Sequence, residues 1–100
     1  MTIHLGTVAE LPAQVRTIIL LGRRTSDHLR ELVRLIEFRG RAAYWIERAA
    51  DLQPRWFAGE EQVGVVLGTY ESRPELPAVL DRLRQFDSSQ KLGQLEGIAT

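Results

Sequence analysis

The chain has 100 residues, which fits one small domain, and 44% of them are hydrophobic, as in ordinary globular proteins. Its 13 basic and 13 acidic residues cancel, which argues against a nucleic-acid binder because that class needs a net basic surface. The sequence contains no cysteine, which excludes disulfides, thiolate metal sites and cysteine-ligated iron–sulfur clusters within the chain.

The sequence also argues against export and against metal binding. Residues 1–11 lack the basic start and the long apolar run of a signal peptide, and no segment approaches the roughly 20 apolar residues of a membrane span. The two histidines, His4 and His28, are too far apart in sequence to suggest a zinc site. We therefore expect a cytoplasmic protein with no metal, no other cofactor and no membrane span.

The first half of the chain predicts a strand followed by a helix. Thr17–Leu21 is continuously apolar after its threonine, which is typical of a strand covered on both faces, and Gly22 ends it. A helix is predicted next, with Thr25 or Ser26 as its N-cap and Gly40 as its stop. Its apolar stripe is formed by Leu29, Leu32, Val33 and Ile36. Residues 8–15 are a candidate short helix before the strand.

The second half predicts two more strands and a last helix. Ala42–Ile46 is the second predicted strand, residues 49–52 are predicted to be a short helical turn or a loop, and residues 63–67 form the third strand before Gly68. A helix with one apolar face follows Pro74, since proline is tolerated at or before a first turn. That face is formed by Leu76, Val79, Leu80, Leu83 and Phe86.

The alternation of these elements predicts an α/β domain. We expect a small three-layer arrangement, with a mostly parallel three-stranded sheet and helices on its faces. The domain is predicted to cover residues 1–86. Residues 87–100 are polar and contain glycine, and we expect a flexible tail or a segment that orders on a partner.

The turn after the first predicted strand is the main candidate site. A strand end, a glycine and a helix N-terminus bring free N–H groups and the positive end of the helix dipole together, which suits an anion. The candidate anion-binding residues are Gly22, Arg23, Arg24, Thr25, Ser26 and His28. The alternative is an ordinary capped helix with solvated arginines, which Asp27 and the absence of a phosphate-loop spacing favour.

Four other residues are candidates for a protein interface. Tyr70 and Arg73 lie in the turn after the third predicted strand, and these residue types are enriched at binding hot spots. This turn is expected beside the first one; a pocket shared by the two turns is one interpretation, and an irregular surface loop, which the residues favour, is the other. Trp45 and Trp56 are the other candidates, although both lie in apolar stretches and packing at a core edge is the alternative.

Several segments follow the order of motifs in a known family. The strand ending at Gly22 is similar to one that leads into a Lys-Asn-Ser-Ser-Asn motif, and residues 63–68 to a Val-Gly-Val-Thr-Ala-Gly-Ala-Ser stretch. Trp56 and the Pro74-Glu75 pair also fall at the family's places. Residues 11–86 thus resemble the C-terminal module of the hydroxymethylbutenyl diphosphate reductases, the IspH/LytB family. The resemblance implies a module that packs against two sister modules around a central cavity.

The chain departs from the family where the resemblance implies diphosphate binding. Ser26 keeps the first serine of the first motif, whereas Arg24 and Thr25 replace its lysine and first asparagine. Asp27 and His28 replace its second serine and last asparagine, and an aspartate repels a diphosphate. The resemblance also implies that the cluster cysteines lie in other parts of the family's proteins.

These departures predict a catalytically inactive relative of the reductases. We expect a structural or assembly subunit that binds another protein, or copies of itself, because exposed sheet edges are normally blocked or paired. One alternative is a module that keeps weak affinity for phosphate or diphosphate at the strand-end turns. Another is the completing part of a split reductase.

Overall fold

A computed structural model describes residues 1–86. It contains one sheet of four parallel strands in the order β1-β4-β2-β3. The strands are β1 (Thr2–Leu5), β2 (Thr17–Leu21), β3 (Ala42–Ile46) and β4 (Gln62–Leu67). The helices are α1 (Asp27–Phe38) and α2, which begins at residue 76 and is described through residue 86. Short 3₁₀ turns occur at Val8–Glu10, Ala49–Asp51, Pro54–Phe57 and Tyr70–Glu75.

The α/β prediction is confirmed, but the predicted strand count was one too low. β1 has only four residues and no long apolar run, so its strand character depends on pairing with β4. The Thr2 N–H donates to the carbonyl oxygen of Glu61 at 2.7 Å at the start of this pairing. The candidate helix at residues 8–15 is only a 3₁₀ turn, and the predicted tail at 87–100 lies outside the described residues.

The sheet separates two apolar clusters, which gives the domain its three layers. On one face, α2 and the Pro54–Phe57 turn cover the sheet through buried residues that include Phe57, Val79 and Leu83. On the other face, α1 and the segment before β2 contribute Leu29, Ile36, Leu11 and Val15. All five residues of β2 are buried, because this strand lies between β4 and β3 with both faces covered.

Helix α1 begins and ends where the sequence pattern predicts. Ser26 is the N-cap, and its Oγ accepts a hydrogen bond from the Leu29 N–H at 3.2 Å. Gly40 has a φ of +79°, the left-handed conformation that glycine adopts most readily after a helix. In residues 1–86 neither helix has the length and apolar character needed to cross a membrane.

Candidate functional site

The turns that follow β2, β3 and β4 meet at one end of the sheet. Parallel strands bring their carboxyl ends to the same edge, which is where open α/β sheets usually bind ligands. A cleft of ≈ 410 Å³ lies there. It is lined by Arg23, Glu47, Arg48, Glu71, Ser72, Pro74 and Glu75. The predicted proximity of the first and last strand-end turns is confirmed, because β4 pairs directly with β2.

Arg23 connects the turn after β2 to the turn after β4. Its Nε lies 2.9 Å from Glu71 Oε2, and its backbone N–H donates to Thr69 Oγ1 at 3.3 Å. Thr69 Oγ1 in turn lies 2.9 Å from Ser72 Oγ. The side chain of Arg23 is therefore already engaged with a carboxylate of the neighbouring turn.

Arg24 is directed to the open edge of β3 and not into the cleft. Its Nη2 donates to the Trp45 carbonyl oxygen at 2.8 Å, and its guanidinium carbon lies 5.2 Å from the centre of the Trp45 ring. Its backbone N–H donates to Glu47 Oε2 at 3.3 Å. Trp45 Nε1 donates to the Gly22 carbonyl oxygen at 2.9 Å, so the tryptophan is held against the same turn.

The remaining predicted anion-binding residues do not converge on the cleft. Ser26 Oγ accepts the capping hydrogen bond from the Leu29 N–H, and Thr25 is exposed. His28 lines a different hollow of ≈ 440 Å³, between α1 and the Val8–Glu10 turn, together with Leu32 and Leu35. Of the side chains predicted for one anion site, only that of Arg23 lines the strand-end cleft.

The charges around the cleft do not favour an anion. Two arginines, Arg23 and Arg48, face three carboxylates, those of Glu47, Glu71 and Glu75. Within residues 1–86 no three acidic or histidine side chains come close enough to hold a metal ion. Sequence reasoning missed the contribution of Glu47 and Arg48, although both directly follow a parallel strand and are expected at this edge for that reason.

The four candidate interface residues lie in three places, since Tyr70 and Arg73 share one turn. Tyr70 is 75% exposed and accepts a hydrogen bond at its hydroxyl from Arg73 Nη1 at 2.9 Å. Trp45 is half-buried on β3 and packs against the α1-side cluster. Trp56 stacks on Tyr44 with 4.3 Å between ring centroids, and it packs against the α2-side cluster. An interface role remains a prediction for each of them.

Comparison with known proteins agrees with this architecture. The sequence profile of the LytB protein family matches residues 5–84. The 4-hydroxy-3-methylbut-2-enyl diphosphate reductase of Chromobacterium violaceum is 32% identical over 88 residues, which cover 88% of this chain and 28% of that protein. The reductase of Methylibium petroleiphilum is 39% identical over 79 residues, covering 77% of this chain and 23% of that protein.

A solved structure of the same kind of reductase also resembles this chain. It is that of (E)-4-hydroxy-3-methyl-but-2-enyl diphosphate reductase, the terminal enzyme of the non-mevalonate pathway. The match has a TM-score of 0.64 and 29% identity, and it covers 72% of this chain and 26% of the solved one. The chain thus spans less than a third of the length of these relatives. Because the family profile matches most of its length, the chain belongs to the LytB protein family.

Proposed function

We propose that the chain is a non-catalytic LytB-family module that binds protein, either a second copy of itself or another polypeptide. The observation that carries the proposal is the ion pair between Arg23 and Glu71, which joins the two turns where a ligand of an open α/β sheet is expected. The pair already gives Arg23 Nε a carboxylate partner from within the chain.

The polar groups of the strand-end turns are used internally. A diphosphate that used all the donors of the two arginines would displace Glu71 from Arg23 Nε and the Trp45 carbonyl oxygen from Arg24 Nη2. Each displacement costs free energy, and the carboxylates that line the cleft would then repel the ligand. These contacts support the interpretation that the strand-end turns stabilise the fold and do not bind diphosphate.

The composition of the chain does not fit the family's iron–sulfur chemistry. Cysteine thiolates are the usual ligands of such clusters, and the 100 residues contain none. The reductases that the chain resembles are more than three times its length, so their activity does not transfer with the matched segment. We therefore propose that these 100 residues carry out no reduction by themselves.

Several features of the described surface support protein binding. Four large apolar or aromatic side chains are exposed in residues 1–86, and two of them, three residues apart on α1, lie on one face of that helix, where a partner would bury them. The four are Leu5, Leu35, Phe38 and Tyr70, of which Phe38 is 90% exposed. The sheet also ends in two edge strands, β1 and β3, and sheet edges can add a strand from a partner.

A paired experiment tests the proposal. Pyrophosphate is titrated into the ¹⁵N-labelled chain, and we expect the amide signals of residues 22–29 to stay in place. In parallel, the chain is expressed with an affinity tag in its native cell, and its assembly is measured by size-exclusion chromatography with light scattering. Saturable shifts at residues 22–29 would overturn the claim that the strand-end turns do not bind diphosphate. If the chain is monomeric and no other protein co-purifies with it at a defined ratio, the claim that it binds protein is wrong.

A further inference from the structure

The two edges of the sheet are protected to different degrees. At the β3 edge, the hydrogen bonds Ala42 N–H to Arg16 O and Gly22 N–H to Ile46 O show that Ala42 and Ile46 face β2. By strand alternation, the peptide groups of Ala43 and Trp45 face outward. The guanidinium of Arg24 occupies the outward carbonyl oxygen of Trp45, so an incoming strand meets a charged side chain at this edge.

The β1 edge has no such charge in its own strand. The Thr2 N–H donates to Glu61 O and the Gly6 N–H donates to Val65 O, so the peptide groups of Ile3 and Leu5 face away from β4. The strand Thr2–Leu5 contains no proline, lysine, arginine or acidic residue. Leu5 is 56% exposed, which leaves an apolar side chain at this edge.

We propose that the β1 edge pairs with the β1 edge of a second copy of the chain, in antiparallel orientation around a twofold axis at His4. This inference rests on the proposed function and names the surface and the partner. A register centred on His4 puts Ile3 of one copy opposite Leu5 of the other. Both are outward-facing residues, so they form hydrogen-bonded pairs, with about four backbone bonds in total.

The same register covers the exposed leucine. Ile3 packs against the α2-side cluster, and Leu5 lies on the same sheet face because side chains alternate with period two. Opposite residues on one face of an antiparallel pair contact each other, so Leu5 of each copy is covered by Ile3 of the other. The strand contains no Asp, Glu, Lys or Arg and the whole chain has a formal net charge of zero, so two copies approach without net repulsion.

Cross-linking with a single introduced cysteine reads the register, because the chain contains no other cysteine. In the proposed pairing the two His4 residues form a non-hydrogen-bonded pair with Cα atoms about 4.5 Å apart, within the range that a disulfide spans. We expect His4→Cys to form a covalent dimer on mild oxidation. Thr2→Cys is the matched control on the same face of the strand, with its two sulfurs offset by about 13 Å along it.

Light scattering of the full chain measures the dimer directly. We expect twice the mass of one chain at high concentration, falling to one chain mass for Leu5→Pro, since proline removes an outward N–H that β4 does not use. Leu5→Val keeps the N–H and should keep the dimer. Circular dichroism confirms that each variant is folded, and the cysteine pair decides the question if Leu5→Pro is not.

Two results would overturn the inference: a monomeric wild-type chain at its highest soluble concentration, or equal cross-linking of Thr2→Cys and His4→Cys. Neither result contradicts the proposed function. A monomeric chain that co-purifies with another polypeptide at a defined ratio is still a protein-binding module. Pyrophosphate-dependent shifts at residues 22–29 would instead show that the strand-end turns bind diphosphate; they would overturn that part of the proposed function and not the protein binding on which the edge pairing rests.

Discussion

The side chain of Leu29 occupies the space that a β-carbon on Gly68 would need. A Cβ built on Gly68 would lie 2.7 Å from Leu29 Cγ, well inside normal contact distance. Gly22 has the same neighbour, and Leu29 is completely buried. The first turn of α1 therefore rests on the ends of both β2 and β4, and this packing positions the turns that line the strand-end cleft.

Gly68→Ala should lower the free energy of unfolding by about 1–3 kcal/mol, since the added methyl group overpacks the site of Leu29. Urea denaturation followed by circular dichroism measures the change. Gly6→Ala is the matched control, because its Cβ would meet the end of the flexible Glu10 side chain, which can move aside. An equal loss in both variants would contradict this account.

Leu29→Ala should lower the free energy of unfolding by about 2–5 kcal/mol, because it removes a fully buried side chain and leaves a cavity. In the double variant with Gly68→Ala, the new methyl group has the room that the leucine vacated. The double variant should then lose less stability than the sum of the two single variants. Simple additivity in the urea titrations would show that the two residues do not share this space.

Ser26→Ala should lower the free energy of unfolding by about 1 kcal/mol, since the Leu29 N–H loses the side-chain acceptor that caps α1. Thr25→Ala is the control, because Thr25 is exposed and is not the cap. Thermal melts of both variants test the difference. If Thr25→Ala loses as much stability as Ser26→Ala, the assignment of Ser26 as the N-cap is wrong.

Arg24→Ala should increase self-association, because it uncovers the outward carbonyl oxygen of Trp45 on the β3 edge. We expect a higher average mass in light scattering and faster aggregation on mild heating. Arg34→Ala removes the same charge from the exposed surface of α1, where it pairs with Glu31 at 3.5 Å, and serves as the control. The blocking role of Arg24 fails if the two variants associate equally.

Tyr44 and Trp56 should be energetically coupled by about 0.5–1.5 kcal/mol, the range for stacked aromatic pairs. Their rings are 9° from parallel with centroids 4.3 Å apart. A double-mutant cycle with Tyr44→Leu and Trp56→Leu in urea denaturation gives the coupling. A coupling of zero would mean that Trp56 contributes through burial alone.

The longer strands were predictable from the sequence because each is a continuous run of mostly apolar residues. The apolar runs of β2 and β3 predict their observed bounds, and β4 begins one residue earlier than predicted. β1 was not predicted, since four residues without a long apolar run carry too little periodicity and become a strand only through hydrogen bonds to β4. A strand that depends on pairing with a distant strand shows little of a strand pattern in its own sequence.

The proximity of the strand-end turns was predictable too, but their side-chain pairing was not. Parallel connection places the turns at one edge, whatever their residues are. Whether Arg23 faces an incoming anion or Glu71, and whether Arg24 enters the cleft or covers Trp45, depends on side-chain positions that strand order alone does not specify.

The sequence by itself determined the α/β class, a helix cap at Thr25 or Ser26 and the resemblance to the LytB family, because burial patterns, capping and motif order are local properties of a chain. Only the tertiary structure decided that Arg23 is matched by Glu71, that His28 lies away from the cleft, and that the two sheet edges differ in their protection. Those outcomes depend on charges and peptide groups from distant segments, whose contacts exist only after the sheet has formed.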